Sequence, residues 1–308
     1  MKFGTWLYEP KKVEGFDLGF YRIKPETGEI GPMPTPDLNV NFAVFGDNVM
    51  CNLHPERVAV SKDGPALRTN MKYNFRWDIT CPTNEEQRQY NFELMEKVAD
   101  LGVPGISLSA IHFADHGFCV CDRCQKLWKE SGLNWLEWRA RVVTDFVREA
   151  KKHVKGATFS VGLLPDPLNG YERFGFDFDK LCDIADYITI PHFDRTYATP
   201  WYFEMLVRGW KKILKKPLYV NLQVYSPGVL PHHRNLLVVM ARIARAGADG
   251  IFLLSHVTTP IMHFQRLVLG DKELRRSIGN WGSKDIENLM ERWDRLYAER
   301  PNIMRDIY

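Results

Sequence analysis

The sequence predicts an α/β protein folded as a single (β/α)8 (TIM) barrel with irregular first βα units. Three observations predict it. The length of 308 residues is about right for one such barrel and too long for a typical single sandwich or bundle. From about residue 85 onward, amphipathic helical segments alternate with short apolar runs, the pattern of βα units on a parallel sheet. Counting those runs gives eight strands, around residues 4–8, 40–45, 77–80, 103–110, 158–164, 187–191, 217–224 and 250–255. The alternative, an open doubly wound sheet, lacks the Gly-rich phosphate loop that would argue for it.

The elements follow in order. Gly4 to Tyr8 and Val40 to Phe45 read as strands, with Trp77 to Thr80 a short third. Between them helices give way to Pro/Gly-rich loops such as Lys24 to Asp37. A clear helix follows Pro82-Thr83-Asn84-Glu85-Glu86, where Thr83 or Asn84 can cap and the glutamates suit the positive N-terminal end. It runs to Asp100 with Phe92, Met95, Val98 and Ala99 on one face, and Val103 to Ala110 follows as a buried strand. Trp135 to Val154 is a helix with Trp138, Val142, Phe146 and Ala150 along one stripe. Strands at 158–164, 187–191, 217–224 and 250–255 then alternate with helices at 178–185, 202–214 and 234–246. A final helix spans Lys284 to Glu299. The whole chain, 1–308, is expected to be one barrel domain, with a Cys-rich loop over 112–128 after strand four.

Composition excludes several classes. Hydrophobic residues make up 45% and charged residues 26%, which provides a large core and rules out disorder. A formal charge of +3 gives no footprint for nucleic acid or an acidic membrane surface. The N-terminal MKFGTWLYEPKK has no apolar segment of signal-peptide length, and no stretch approaches the roughly 18 apolar residues of a membrane span. The expectation is a cytoplasmic chain without nucleic-acid or membrane partners. Its many aromatics leave room for a homo-oligomer interface.

In a (β/α)8 barrel the active site lies at the C-terminal ends of the strands. In chain order the candidates there are Trp6, Glu9, Asp47, Asn48, Asp78, Ser109, His112, Asp115, Asp166, His192, Asp194, Gln223, Tyr225 and His256. This ring is rich in carboxylate, imidazole and aromatic groups and has no lysine aligned for Schiff-base chemistry. Its members also have plainer readings: Asp78 can cap the loop before Cys81, Asp166 can brace a turn between two prolines, and Asp194 can pair with Arg195. Taken together, the carboxylates suit glycoside hydrolysis, in which one acid protonates the leaving oxygen and a second carboxylate attacks or activates water. Asp194 is the expected general acid/base, with Asp166 or Asp115 as its partner. His112, His192, Tyr225 and His256, with Glu9 and Asp78, are expected to bind hydroxyls, while Trp6 or Trp77 stacks on the sugar ring.

Cys119, Cys121 and Cys124 place three thiols within six positions, too close for a disulfide framework and suited to a metal in a reducing compartment. Cys121 and Cys124 have a common zinc spacing, Cys119 or His116 can be the third ligand, and Cys81 is the expected fourth. The readings are a structural Zn2+ or ordinary reduced thiols packing a loop. No organic cofactor is expected. Cys51 and Cys182 read as buried thiols.

Four stretches carry a resemblance: His54-Pro55-Glu56-Arg57-Val58 with Asp63-Gly64, Cys81-Pro82-Thr83-Asn84, Gly105-Ile106-Ser107-Leu108, and the Cys119-x-Cys121-x-x-Cys124 loop with its following helix. Over Leu53 to Trp128 the sequence resembles a family of hypothetical glycoside hydrolases, related in outline to the barrels of β-galactosidases and α-galactosidases. The resemblance implies a barrel that cleaves glycosidic bonds. In that family the fourth strand usually reads Asp-Gly-x-x-x-Asp, with the last Asp in the place of the nucleophile. Here those positions are Pro104 and Ser109. A serine hydroxyl cannot stabilise an oxocarbenium-like transition state as a carboxylate does. Three readings follow: a glycoside hydrolase acting on a soluble sugar or oligosaccharide, a carbohydrate-binding barrel without catalysis, and a metal-dependent hydrolase using His112, His192, His256 and Asp194.

Overall fold

A computed structural model of the chain describes residues 1–73, 75–224, 231–280 and 283–300. In chain order its elements are β1 (Lys2–Leu7), β2 (Leu18–Lys24), β3 (Asn39–Ala43), α1 (Asn48–Leu53), the short strands β4 (Val60–Ser61) and β5 (Gly64–Pro65), α2 (Glu85–Ala99) and β6 (Gly105–Ser109). There follow α3 (Asp122–Ser131), α4 (Trp135–Lys152), β7 (Thr158–Gly162), α5 (Gly170–Phe174), α6 (Phe178–Ile184), β8 (Tyr187–Pro191), α7 (Pro200–Ile213) and β9 (Leu218–Gln223). The chain continues with α8 (His233–Arg245), β10 (Gly250–Ser255), α9 (Thr258–Gly270), α10 (Lys272–Asn280) and α11 (Lys284–Glu299). Eight strands close into a barrel in the order β1-β10-β9-β8-β7-β6-β3-β2, and β4 pairs with β5 outside it. The chain is therefore a (β/α)8 barrel.

One expected strand is corrected. Trp77–Thr80 makes only isolated bridges, Ile79 with Gly46 and Thr80 with Val58. The second barrel position belongs instead to β2, whose Arg22 and Lys24 hide its strand character in the sequence. Lys24 is fully buried because Asp47 accepts its charge, at 2.8 Å.

Contacts within the chain group into two units, Met1–Tyr21 with Thr189–Tyr308, and Arg22–Ile188. In the first, β1 pairs in parallel with β10, Trp6 opposite Leu254. Trp6 stacks on Phe20, ring centroids 4.9 Å apart, and meets Phe252 edge-on at 6.0 Å. Each such buried aromatic contributes about 1.5–3 kcal/mol of burial. The buried Trp293 of α11 donates from Nε1 to Gly15 O at 3.2 Å, which ties the final helix to the β1–β2 connection.

In the second unit, Asn84 caps α2 by accepting from Gln87 N at 2.8 Å. Phe92, Met95, Val98 and Ala99 are buried, as the α2 periodicity requires. On α4 the buried stripe runs through Trp138, Val143, Phe146 and Ala150, with Val143 in place of the expected Val142. Phe92 stacks on Phe146 at 5.2 Å and joins α2 to α4. Strands β3, β6 and β7 bring Asn41, Ser107 and Ser160 into register, all buried, so these strands present small polar groups at mid-height.

Candidate functional site

Each carboxylate expected to be catalytic follows the C-terminal end of a barrel strand: Asp115 after β6, Asp166 after β7 and Asp194 after β8. Asp115 and Asp166 meet on one cation. Arg173, on α5, donates to Asp115 Oδ2 from Nε at 3.0 Å and from Nη2 at 2.5 Å, and from Nη1 to Asp166 Oδ2 at 2.7 Å. Their other oxygens accept backbone N–H groups, His116 N for Asp115, and Leu168 N and Asn169 N for Asp166. Burial pushes both carboxyls up, but the Arg173 guanidinium and these N–H groups outweigh it and hold both below the usual carboxylate range. Arg173 was not visible as a site residue in the sequence, because its helix is five residues long and has no periodic signal.

Asp194, in the other unit, closes a turn on itself. Its Oδ1 accepts from Thr196 N at 2.7 Å, Thr196 Oγ1 at 3.2 Å and Tyr197 N at 3.3 Å. The Thr196 N–H is the main reason its carboxyl is lowered. Tyr197 locks the same loop: its hydroxyl donates to His192 O and accepts from Gln223 N at 2.6 Å. His192 is 2% exposed, and both its ring nitrogens lack a hydrogen-bond partner among the described residues. Burial takes its pKa down to about 4, so the ring is neutral.

The expected binding residues fall into different environments. His256 is exposed and stacks on Tyr8 with centroids 4.3 Å apart, beside Glu9, whose Oε1 accepts from Thr258 N at 2.8 Å. Trp6 is 3% exposed with Phe20 against its face, so it belongs to the barrel core rather than to a ligand surface. His112 is boxed by Phe174 and Phe176 and engages Phe113 O through Nδ1 at 2.7 Å, and burial lowers its pKa. Asp78 is 8% exposed and braces its loop: it accepts from Arg68 N at 2.7 Å and from the Arg68 guanidinium. Trp77 next to it is half-buried. Tyr225 lies outside the described residues.

The Cys-rich loop does bring four thiols together. Cys81, Cys119, Cys121 and Cys124 place their Sγ atoms within 4.8 Å of one another, and His116 is not part of the set. Cys81 Sγ is 3.4 Å from Cys124 Sγ and 3.8 Å from Cys121 Sγ. A tetrahedral ion with metal–sulfur bonds of about 2.3 Å spaces its sulfurs about 3.8 Å apart. The donor set therefore fits a metal ion. Hydrogen bonds from Cys119, then Cys124 and Cys81, pull Cys121 down, while Cys119 is pushed up chiefly by its contact with Cys121 and Cys124 chiefly by its contact with Cys119. Val60 N donates to Cys119 Sγ at 3.2 Å, anchoring the cluster to β4. Cys51 and Cys182 are buried thiols apart from it.

A cavity of about 670 Å3 lies against Lys272, Arg275, Arg276, Glu287 and Met290, residues of α10 and α11. None of them follows a strand's C-terminal end, where barrel chemistry is found, so we give it no part in the site. Among the described residues, no helix is long and apolar enough to cross a membrane.

The sequence matches no protein-family model, and comparison with curated proteins finds no match. Among solved structures the chain is similar to the PgaB (BpsB) glycoside hydrolase domain from Bordetella bronchiseptica, at 12% identity over 78% of this chain and 74% of that one, with a TM-score of 0.59. It is also similar to the PelA glycoside hydrolase domain from Pseudomonas aeruginosa, at 12% identity over 83% and 95%, with a TM-score of 0.47. A third is TtGalA, an alpha-galactosidase from Thermus thermophilus, at 10% identity over 87% and 64%, with a TM-score of 0.47. The likeness to the PgaB domain is one of fold.

Proposed function

We infer that this barrel is a glycoside hydrolase-like protein that acts on a soluble sugar or oligosaccharide through the carboxylates at its strand ends. The observation that carries the reading is that Asp115, Asp166 and Asp194 each follow the C-terminal end of a barrel strand. The fold shared with the PgaB glycoside hydrolase domain supports it. Asp194 is assigned acid/base duty, and Asp115 or Asp166 the second carboxylate. All three are held below the usual carboxylate range, which readies them for the base or nucleophile part of that chemistry. His256 and Glu9 are assigned to hydroxyl binding. The four cysteines are assigned a structural Zn2+, which fixes the loop after β6 and takes no part in bond cleavage.

The test is Asp194→Asn. Reducing-end release should fall by at least about a hundredfold, the usual weight of a general acid or base, while sugar binding persists. Full activity in that variant removes Asp194 from the mechanism.

A second reading is favoured by one observation. Every assigned carboxylate is already committed to turn N–H groups or to Arg173, and Ser109 stands where the resembling family has its nucleophile. That combination suits a barrel that binds carbohydrate without cleaving it. Binding without reducing-end release in the wild type would select this reading.

A further inference from the structure

Arg22 on β2, Asn41 at the middle of β3 and Glu26 just past β2 form a constellation that the sequence did not reveal. Arg22 on β2 donates from Nη2 to both oxygens of Glu26, at 2.7 Å each. Its Nε donates to Asn41 Oδ1 on β3 at 3.2 Å. Asn41 Nδ2 donates to Ser107 O at 3.1 Å, and Ser109 Oγ donates to Asn41 Oδ1 at 3.4 Å. A polar chain thus runs across three neighbouring strands and ends on Glu26, whose side chain is 18% exposed.

Trp77 lies beside this chain, and Gly46 shows how close. A Cβ at Gly46 would come within 2.9 Å of Trp77 Cδ1 and 3.0 Å of Glu26 Cγ. The glycine therefore lets the indole and the glutamate converge on one spot. A half-buried indole supplies an apolar face, and a carboxylate held by a guanidinium supplies directional acceptors. These are the two kinds of contact that a pyranose ring offers, a C–H face and a rim of hydroxyls. Arg22 and Glu26 neutralise each other, and so do the buried Lys24 and Asp47 behind them. A ligand without net charge fits such a surface better than a sugar acid or phosphate, which would have to approach the Glu26 carboxylate.

The geometry points to a binding subsite for a neutral sugar ring, made by Trp77 and Glu26, positioned by Arg22 and Asn41, with Gly46 letting the two side chains meet. The inference rests on the carbohydrate reading above and adds residues and a ligand charge to it. The subsite recognises the ring through stacking and hydroxyl contacts and makes no claim on bond cleavage.

The test titrates a panel of glucose, galactose, N-acetylglucosamine, their oligomers and glucuronic acid into wild type, Trp77→Ala, Glu26→Gln and Gly46→Ala. Reducing-end release and thermal melts are measured on the same samples. Neutral sugars should bind the wild type, and each variant that melts like the wild type should bind them at least tenfold more weakly. Gly46→Ala keeps every contacting group and only crowds them, so its loss separates the built site from a generic surface. Should Trp77→Ala fail to fold, the glutamine and alanine variants decide alone. Wild-type affinity in the folded variants overturns the subsite and leaves the carbohydrate reading standing, as does a wild type that prefers glucuronic acid. A wild type that neither binds nor cleaves any sugar overturns both.

Discussion

Replacing Lys24 by methionine isolates the ion pair behind the β2 end. Neither side chain is exposed, Nζ lies 2.8 Å from Asp47 Oδ2, and Nζ also donates to Ala43 O at 2.6 Å. Burial pushes the lysine down and the Asp47 carboxylate draws it part of the way back. Methionine fills similar volume but leaves a buried carboxylate without a counter-charge, which costs about 3–5 kcal/mol. At roughly 2 °C per kcal/mol for a chain of this size, the melting temperature should fall by about 6–10 °C. The Lys24→Met/Asp47→Asn double variant removes both charges and keeps the oxygen that accepts from Met50 N to cap α1. It should recover at least half of the loss, because a buried pair exchanged for neutral groups is often close to neutral in stability. Thermal unfolding followed by circular dichroism at pH 7 reads both changes. A single variant within about 2 °C of wild type, or a double variant no better than the single, refutes the reasoning.

Other outcomes follow from the same geometry. Arg173→Leu should lower stability at pH 7 by about 1–2 kcal/mol, two part-exposed ion pairs at about 0.5–1 kcal/mol each. Asp115 and Asp166 have depressed pKa values when folded, so this contribution is complete above the unfolded carboxyl pKa of about 3.9 and is lost as pH falls through the folded values. Urea titrations from pH 7 downward should therefore show a constant gap between wild type and variant until the unfolded carboxyl pKa, narrowing only as pH falls below it; a gap that keeps its full size to the lowest pH at which the protein still folds means the arginine acts through packing. Elemental analysis of protein purified without chelator should find one zinc per chain, and Cys121→Ser should lose it together with several degrees of melting temperature. A chain free of metal, with a melt unmoved by chelator, assigns the cysteines to packing alone. Phe146→Ala should cost about 3–5 kcal/mol by opening the α2–α4 contact, read by denaturant unfolding; a loss under about 1 kcal/mol means the helices repack around it.

The second half of the barrel was legible because each βα unit obeys simple periodicity: β8, β10 and α11 have the bounds the pattern gives. The first third was not, because its elements depend on partners far along the chain. Leu18-Gly-Phe-Tyr-Arg-Ile-Lys is an apolar run bounded by Asp17 and Pro25, which is a strand signal. Arg22 and Lys24 mask it until Glu26 and Asp47 are seen to neutralise them. Trp77–Thr80 has strand composition but finds only single bridges. Of the site, the thiol cluster including the distant Cys81 was readable, because short Cys spacings announce themselves. Arg173 was not, since only the fold brings residues 115 and 166 to it. Glu26 was hidden in a stretch that reads as a Pro/Gly-rich loop, and Trp6, attractive by its place near a strand end, is held in the core by Phe20.

The central claim is that carbohydrate is engaged at the C-terminal ends of the barrel strands. A crystal structure of the chain soaked with a neutral oligosaccharide tests it most directly. The account predicts sugar density at those ends, with hydrogen bonds to the residues that follow the strands. Sugar bound only elsewhere, for example in the cavity against α10 and α11, or no bound sugar at saturating concentration, would contradict it.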